Sequence, residues 1–142
     1  MNYLQQLEKV LETRFKLLSI ETYDTDRVND LFTQMSRFSH KAIYMYLLNE
    51  GMHRLDAGHI TIPRTRTPVE VLDYIDNTPH FGIYILREFN NALEDKKIIA
   101  KLKQIATGNK NRLIILLGEY IELPRELKPY TLRSKHQIKQ AS

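Results

Sequence analysis

The fold of this chain is decided by residues 15–28, which read FKLLSIETYDTDRV. The first six of these residues are mostly apolar, which is typical of a strand that is buried on both faces of a parallel sheet. Asp24 then provides an N-cap, and the apolar residues from Val28 onward fall on one face of a helix that ends near Phe38. This stretch predicts one strand–helix unit of an α/β protein.

The same alternation of strand and helix patterns continues on both sides of this stretch. The predicted strands are residues 42–48, 81–89 and 112–118, with a weaker one at 129–133. The predicted helices are residues 2–13, a helix that begins after the cap Thr67, and residues 91–107. Parallel strands joined through helices need crossover connections. The sequence therefore predicts a three-layer α/β fold with a doubly wound, mostly parallel sheet.

Two segments fall outside this alternation. Residues 51–67 contain Gly58 and Pro63 and are predicted to form a long irregular loop, which in a compact domain is either functional or disordered. Residues 135–142 have too few apolar side chains to pack against a core. We therefore expect a single domain over residues 1–134, followed by a flexible basic tail or linker.

Composition narrows the class of protein. A chain of 142 residues fits one domain. It contains no cysteine, no apolar run close to the roughly 18 residues that suggest a membrane span, and no secretory leader. We therefore expect a cytoplasmic protein that does not span a membrane.

The charge of the chain is divided unevenly along its length. Residues 1–95 carry 10 Lys and Arg against 14 Asp and Glu, a net charge of −4, and residues 96–142 carry 11 against 3, a net charge of +8. A basic patch of this kind can bind nucleic acid, an acidic protein surface or anionic lipid. Few aromatic side chains that could stack on bases are interleaved with it. A solvated helix face without a partner explains the same pattern.

The predicted strand ends lack the residues with which an NTPase binds nucleotide, although ligands of open α/β sheets bind at that edge. The turn at residues 21–26 has three carboxylates but no glycine or lysine to hold a phosphate. At the end of the third predicted strand, Arg87 replaces the first acid of a magnesium-binding pair and leaves only Glu88. We therefore expect no bound nucleotide cofactor and no ATP hydrolysis by this chain.

The acids at the strand ends permit a rival interpretation. Carboxylates that converge on one edge could hold Mg²⁺ for a small phosphotransfer enzyme or nuclease. The three best-placed acids are Asp24, Glu88 and Glu119. Acids are also common at helix N-termini, where they interact favourably with the helix dipole. The sequence leaves both explanations open.

Three segments resemble a known family. The first segment begins with Arg14 and continues as a mostly apolar run to Ile20. It is followed by Thr22, Asp24, Arg27 and Val28. Residues 85–95 read ILREFNNALED, and an apolar strand at residues 113–117 precedes Leu-Pro-Arg-Glu-Leu at residues 123–127. In this order and spacing they resemble the N-terminal domain that precedes the motor module in AAA ATPases of cyanobacteria, plastids and other prokaryotes.

The resemblance implies a degenerate P-loop NTPase (Rossmann-like) domain that serves recognition, with ATP hydrolysis in a motor module outside this chain. Glu88 and Asn90 stand where the family has Asp and His, so the resemblance assigns no role to those two positions. The resemblance thus implies a non-catalytic interaction or regulatory domain whose protein partner is an AAA motor module or its client.

The surfaces expected to contact this partner are the basic helix and the long loop. The expected contacts are Lys97, Lys101 and Lys103 in the helix at residues 91–107, and Arg64 and Arg66 in the loop at residues 51–67. A nucleic-acid-binding adaptor that uses the same basic residues is the third interpretation.

Overall fold

The computed structural model describes residues 9, 14–39, 41–58 and 60–136. In chain order the elements are β1 (Leu17–Thr22), α1 (Thr25–Phe38), β2 (Ile43–Leu47), β3 (Gly51–Arg54), β4 (Thr61–Ile62), α2 (Pro68–Asn77), β5 (Ile83–Arg87), α3 (Lys96–Thr107), β6 (Leu113–Gly118) and β7 (Thr131–His136). Short 3₁₀ turns at Ala92–Glu94 and Arg125–Tyr130 precede α3 and β7. The helix predicted at residues 2–13 lies, apart from residue 9, outside the described residues.

The seven strands of the described part of the chain form one sheet in the order β4-β3-β2-β5-β6-β1-β7. The five strands from β2 to β7 in this order run parallel. β3 and β4 extend the sheet in antiparallel fashion beside β2. The predicted doubly wound, mostly parallel α/β fold is confirmed, and the very apolar strand β6 lies inside the sheet between β5 and β1.

The sheet separates two hydrophobic clusters, so the fold has three layers. On one face, Val28, Phe32 and Met35 of α1 pack against alternate strand residues such as Ile85 and Ile115. On the other face, α2 and α3 pack against the intervening strand residues. Because β5 and β6 are covered on both faces, their sequences are continuous apolar runs instead of alternating ones.

The structure corrects the loop predicted at residues 51–67. Part of this segment forms β3 and β4, which continue the sheet instead of forming an irregular loop. The buried Thr65 secures their ends, because its Oγ1 accepts a hydrogen bond from the Met52 amide at 2.9 Å and donates one to the Ile62 carbonyl at 2.7 Å. Gly51 has φ +100°, and a Cβ there would lie 2.8 Å from the Thr61 side chain, so this turn requires glycine.

Two further boundaries differ from the predictions. The helix predicted at residues 91–107 is interrupted at Asp95, whose extended backbone separates a 3₁₀ turn from α3 and whose carboxylate accepts a hydrogen bond from the Lys97 amide at 2.9 Å. The weak fifth strand exists as β7, but it begins at Thr131 and continues through His136. It therefore includes two residues that the sequence assigned to the tail.

Candidate functional site

The candidate site is a cleft at the carboxyl edge of the sheet, where the five parallel strands end. The cleft has a volume of about 440 Å³, and the segments after β5 and β6 line it together with Thr25, the first residue of α1. In P-loop proteins the phosphate-binding loop joins a strand to the following helix. The corresponding connection here is the turn between β1 and α1.

This turn is closed by its own hydrogen bonds. Asp24 Oδ1 accepts a hydrogen bond from the Arg27 amide at 3.0 Å, and the Asp24 amide donates one to Thr22 Oγ1 at 3.1 Å. A carboxylate thus caps the N-terminus of α1, and that carboxylate would repel a phosphate. The first turn of α1 therefore has the cap of an ordinary surface helix and not the geometry of a phosphate cradle.

Arg87 joins the end of β5 to the start of α1. Its Nη2 donates a hydrogen bond to Thr25 Oγ1 at 3.0 Å and lies 4.0 Å from Asp26 Oδ1. The side chain of Arg87 is only 22% exposed, whereas that of Asp26 is 90% exposed, so the ion pair with Asp26 contributes little. The important contact is the hydrogen bond to Thr25, which fixes the guanidinium in front of the helix.

Asn90 and Glu21 hold the loop that follows β6. Asn90 Nδ2 donates to the Tyr120 carbonyl at 3.1 Å, and its Oδ1 accepts from the Glu122 amide at 2.9 Å. Glu21 Oε2 accepts from the Ile121 amide at 2.9 Å. Sequence reasoning missed this positioning role of both residues, and the only hint was that Asn90 stands where the resembling family has His.

The strand-end acids do not form a metal centre in the described part of the chain. Among the described residues, no group of three or more His, Cys, Asp or Glu side chains is placed to hold a metal ion. Asp24 serves as the cap of α1. Glu88 and Glu119 line the cleft without an ion pair to another described residue. The magnesium-dependent alternative therefore gains no geometric support.

The three predicted contact residues of α3 differ in the contacts that their side chains make within the protein. Lys101 Nζ lies 2.6 Å from Asp73 Oδ1 on α2. Lys103 Nζ lies 5.9 Å from the centre of the Tyr130 ring, at the outer limit of a cation–π contact. Lys97 is exposed, and its side chain makes no ion pair with another described residue. Of the three, Lys97 is the most available to a partner.

Other residues of the basic half bind carbonyl groups at helix ends. Lys110 Nζ donates to the Asp76 carbonyl and Arg112 Nη2 to the Thr78 carbonyl, each at 2.7 Å. Lys16, which lies outside the basic half, donates from its Nζ to the Gly108 carbonyl after α3. Cations in these positions satisfy unpaired carbonyls and interact favourably with the helix dipole. Lys110 and Arg112 therefore help to stabilise the carbonyl end of α2.

Arg64 and Arg66 are exposed in the turn between β4 and α2, which places them at the carboxyl edge. Arg64 has a left-handed φ of 58°. The Arg66 carbonyl accepts hydrogen bonds from Tyr46 Oη at 2.6 Å and from the Asn49 amide at 3.2 Å. The five predicted contacts thus come from two separate elements and do not form one cluster.

The opposite, amino edge of the sheet has a second cleft of about 540 Å³, with Tyr44, Arg54 and Tyr74 among its lining residues. Tyr44 stacks on Tyr84 with ring centres 5.0 Å apart. Burial, as the main cause, raises the pKa of Tyr84 to about 12. This edge contains no residue that the sequence analysis assigned to a site.

Next to this cleft, Arg112 is only 3% exposed. Its Nε and Nη1 atoms have no hydrogen-bond partner among the described residues. Because the Arg112 guanidinium faces the carbonyl end of α2, we interpret it as a structural helix cap.

Together, these features define the class of protein: an α/β domain with a mostly parallel, P-loop-like sheet, in which a carboxylate caps the helix after β1. Comparison with protein families then identifies the family. Residues 3–135 match the family described as SpoVK-like AAA ATPase, N-terminal domain, and the chain belongs to this family. The resemblance inferred from the three sequence segments is confirmed.

Curated relatives agree with this assignment. The chain is 26% identical over 141 residues to an uncharacterized AAA domain-containing protein, ycf46, of Trieres chinensis, with 90% of this chain and 26% of the relative covered. It is 24% identical over 131 residues to the protein of the same name in Pyropia yezoensis, with 87% and 26% covered. The chain therefore spans about a quarter of the length of these relatives. No helix among the described residues is long and apolar enough to cross a membrane.

Proposed function

We propose that this chain is a non-catalytic recognition domain of the AAA type, which binds a protein partner while an AAA motor module supplies ATP hydrolysis. The observation that carries the proposal is the pattern of hydrogen bonds at the turn between β1 and α1. Asp24 caps the helix and Arg87 is bonded to Thr25, so the chain's own groups take the place of a phosphate cradle. The domain needs no cofactor for this role, and a cytoplasmic location is part of the proposal.

The proposed partner-binding surface is the basic face, which we define as the exposed basic residues of α3 and of the 3₁₀ turn that packs against it. These residues are Lys96, Lys97, Lys103, Arg125 and Lys128. They would complement an acidic protein surface, and complementary charges speed association and favour the correct partner. Lys101 contributes less in this proposal because it is paired with Asp73. Arg64 and Arg66 would form a separate contact.

The test is a charge reversal on the basic face. Lys96→Glu with Lys97→Glu avoids the Lys101–Asp73 ion pair, so a loss of binding would not come from a broken internal contact. The control is Arg27→Glu with Arg37→Glu, which makes the same change in charge on α1, on the opposite side of the sheet. Partners captured from nuclease-treated lysate are quantified by mass spectrometry.

We expect the Lys96/Lys97 variant to lose a specific protein that the wild type and the control capture. Raised salt should cause the same loss, because exposed charges are screened over about 8 Å at physiological ionic strength. Equal capture by all three folded proteins would refute recognition through the basic face.

The nucleic-acid-binding adaptor is the other interpretation that the basic face supports. The same variants distinguish it when they are titrated with single-stranded RNA and duplex DNA in the absence of nuclease. Binding that falls steeply with salt and is reduced by the Lys96/Lys97 reversal would favour the adaptor, because phosphate contacts release counterions.

A further inference from the structure

We propose that the carboxyl edge of the sheet is a second docking surface, and that it binds a segment of the AAA motor in which an apolar side chain stands next to a lysine or arginine. This inference rests on the proposed function and deepens it. It assigns the carboxyl edge to the motor and leaves the basic face for the client.

The carboxyl edge of the sheet has an apolar groove next to a polar cleft, which suits a segment with an apolar side chain beside a charged one. Beside the cleft after β5 and β6 lies an apolar groove of about 270 Å³ between the first turns of α2 and α3. Leu48, Val69, Ala92 and Ile98 are among its lining residues, and Leu48 and Val69 are each 37% exposed. Glu88 and Phe89 line both depressions and so form a shared wall. One segment could therefore place an apolar side chain in the groove and a polar one in the cleft.

The charge of the cleft specifies the polar side chain. Arg87, the cation of the cleft, is bonded to Thr25 and largely buried. Glu88 and Glu119 are exposed and make no ion pair with another described residue. The charge available to a partner is therefore negative, and a lysine or arginine of the partner complements it.

The path of the chain identifies the partner as the motor. β7 runs parallel to β1, and His136 pairs with Thr22, so the backbone leaves the sheet at this edge. The matched family is an N-terminal domain of AAA ATPases, and the chain spans only 26% of the Trieres chinensis relative. In such longer proteins the polypeptide that follows the domain starts at the same edge of the sheet as the cleft. A short tether raises the effective concentration of a neighbouring segment to the millimolar range, so a small groove suffices for docking.

The test uses immobilised 15-residue peptides that tile the Trieres chinensis protein outside the region matched by this chain. The tagged 142-residue chain is the probe. We expect it to bind peptides that combine an apolar residue with Lys or Arg. Glu88→Lys with Glu119→Lys should weaken this binding by about tenfold or more, because the pair of charges at the cleft is reversed. Val69→Asp should weaken it independently through the groove.

Two controls separate this proposal from the basic face. Asp30→Lys with Glu126→Lys makes the same change in charge at exposed acids away from the carboxyl edge and should bind as the wild type does. Arg125→Glu with Lys128→Glu, which reverses the part of the basic face that lines neither the cleft nor the groove, should also leave peptide binding unchanged. Thermal melts of all variants establish that they are folded.

Amide chemical shifts locate the bound peptide. In a ¹⁵N-labelled chain titrated with the strongest peptide, the largest shifts are expected near Glu88–Asn91 and Glu119–Ile121. The docking surface is refuted if no peptide binds, if the Glu88/Glu119 reversal leaves binding unchanged, or if the shifts are confined to the part of α3 that follows Ile98. Each of these results leaves the basic-face experiment to be judged on its own.

Discussion

At the residue scale, Glu88 has an uncommon backbone conformation at the carboxyl edge. It follows β5 directly and has a φ of 54°, in the left-handed region that non-glycine residues rarely adopt. The residues on either side explain how it is held there, because Arg87 is bonded to Thr25 and the buried Phe89 packs edge-on against Tyr46. Strain of this kind persists only when the surroundings enforce it, and it is common at ligand-binding positions.

This strain leads to a stability prediction for Glu88→Gly. Glycine adopts a positive φ without a Cβ clash, so we expect the free energy of unfolding to stay level or rise by up to about 1 kcal/mol, although the flexible unfolded chain offsets part of the gain. Glu119→Gly is the matched control, because Glu119 has no positive φ and should lose stability. Urea unfolding monitored by circular dichroism measures both. A larger loss for Glu88→Gly than for Glu119→Gly would contradict the assignment of strain.

At the element scale, the segment from β5 to α3 shows which local structure follows from the sequence. The apolar residues Leu93 and Ile98 lie on either side of Asp95, and the sequence pattern predicted one continuous helix over residues 91–107. The structure instead has a 3₁₀ turn and a new helix with its own cap, since Asp95 adopts an extended backbone. Both apolar residues still reach the same core.

The second prediction tests whether this turn is docked. Leu93 is 3% exposed in the cluster beneath α3, so Leu93→Ala should lower the free energy of unfolding by about 2–5 kcal/mol through lost burial and the cavity left behind. Leu48→Ala makes the same deletion at a side chain that is 37% exposed, and its effect should be clearly smaller. Chemical denaturation of both variants provides the comparison. Equal losses would mean that the turn is not anchored by Leu93.

The fold was predictable wherever burial dictated the sequence, and less so elsewhere. β6 is buried on both faces, so residues 113–117 are all apolar, and this run alone predicts a buried strand. β3 and β4 are four and two residues long and lie at the margin of the sheet. Their alternation of apolar and polar residues is therefore too short to predict a strand. β7 has a polar sequence, so it was predicted only as a weak strand at residues 129–133, and its full extent is seen only in its register with β1.

The candidate site was predictable only in part, for a related reason. The lack of a phosphate loop is a local property of residues 21–26 and can be read directly from the sequence. The roles of Glu21 and Asn90 depend on partners 100 and 32 residues away along the chain, and only the folded register brings these groups together. The ion pair of Lys101 with Asp73 is equally non-local. The sequence therefore could not show which of the α3 lysines has a partner within the protein.

At the scale of the whole molecule, the domain has surfaces with different charge. The cleft at the carboxyl edge presents Glu88 and Glu119, and the exposed part of α3 presents Lys96, Lys97 and Lys103, while Arg64 and Arg66 lie in the turn before α2. A domain that joins two partners can use such a division, because each surface attracts one kind of charge and repels the other. In the proposed arrangement the motor and the client bind at different places and do not compete.

The last prediction concerns nucleotide at the carboxyl edge. Calorimetric titration with millimolar Mg-ATP should give no saturable heat, because the turn at residues 21–26 has no glycine or lysine and Asp24 caps the helix with a negative charge. Arg87→Ala tests the reason for this result, since it removes the guanidinium in front of α1. If Arg87 alone excluded nucleotide, the variant would gain binding; because the turn itself lacks the cradle, we expect that it does not. Saturable heat with the wild type would refute the non-catalytic assignment, and saturable heat with Arg87→Ala alone would mean that this domain retains a nucleotide site that one side chain blocks.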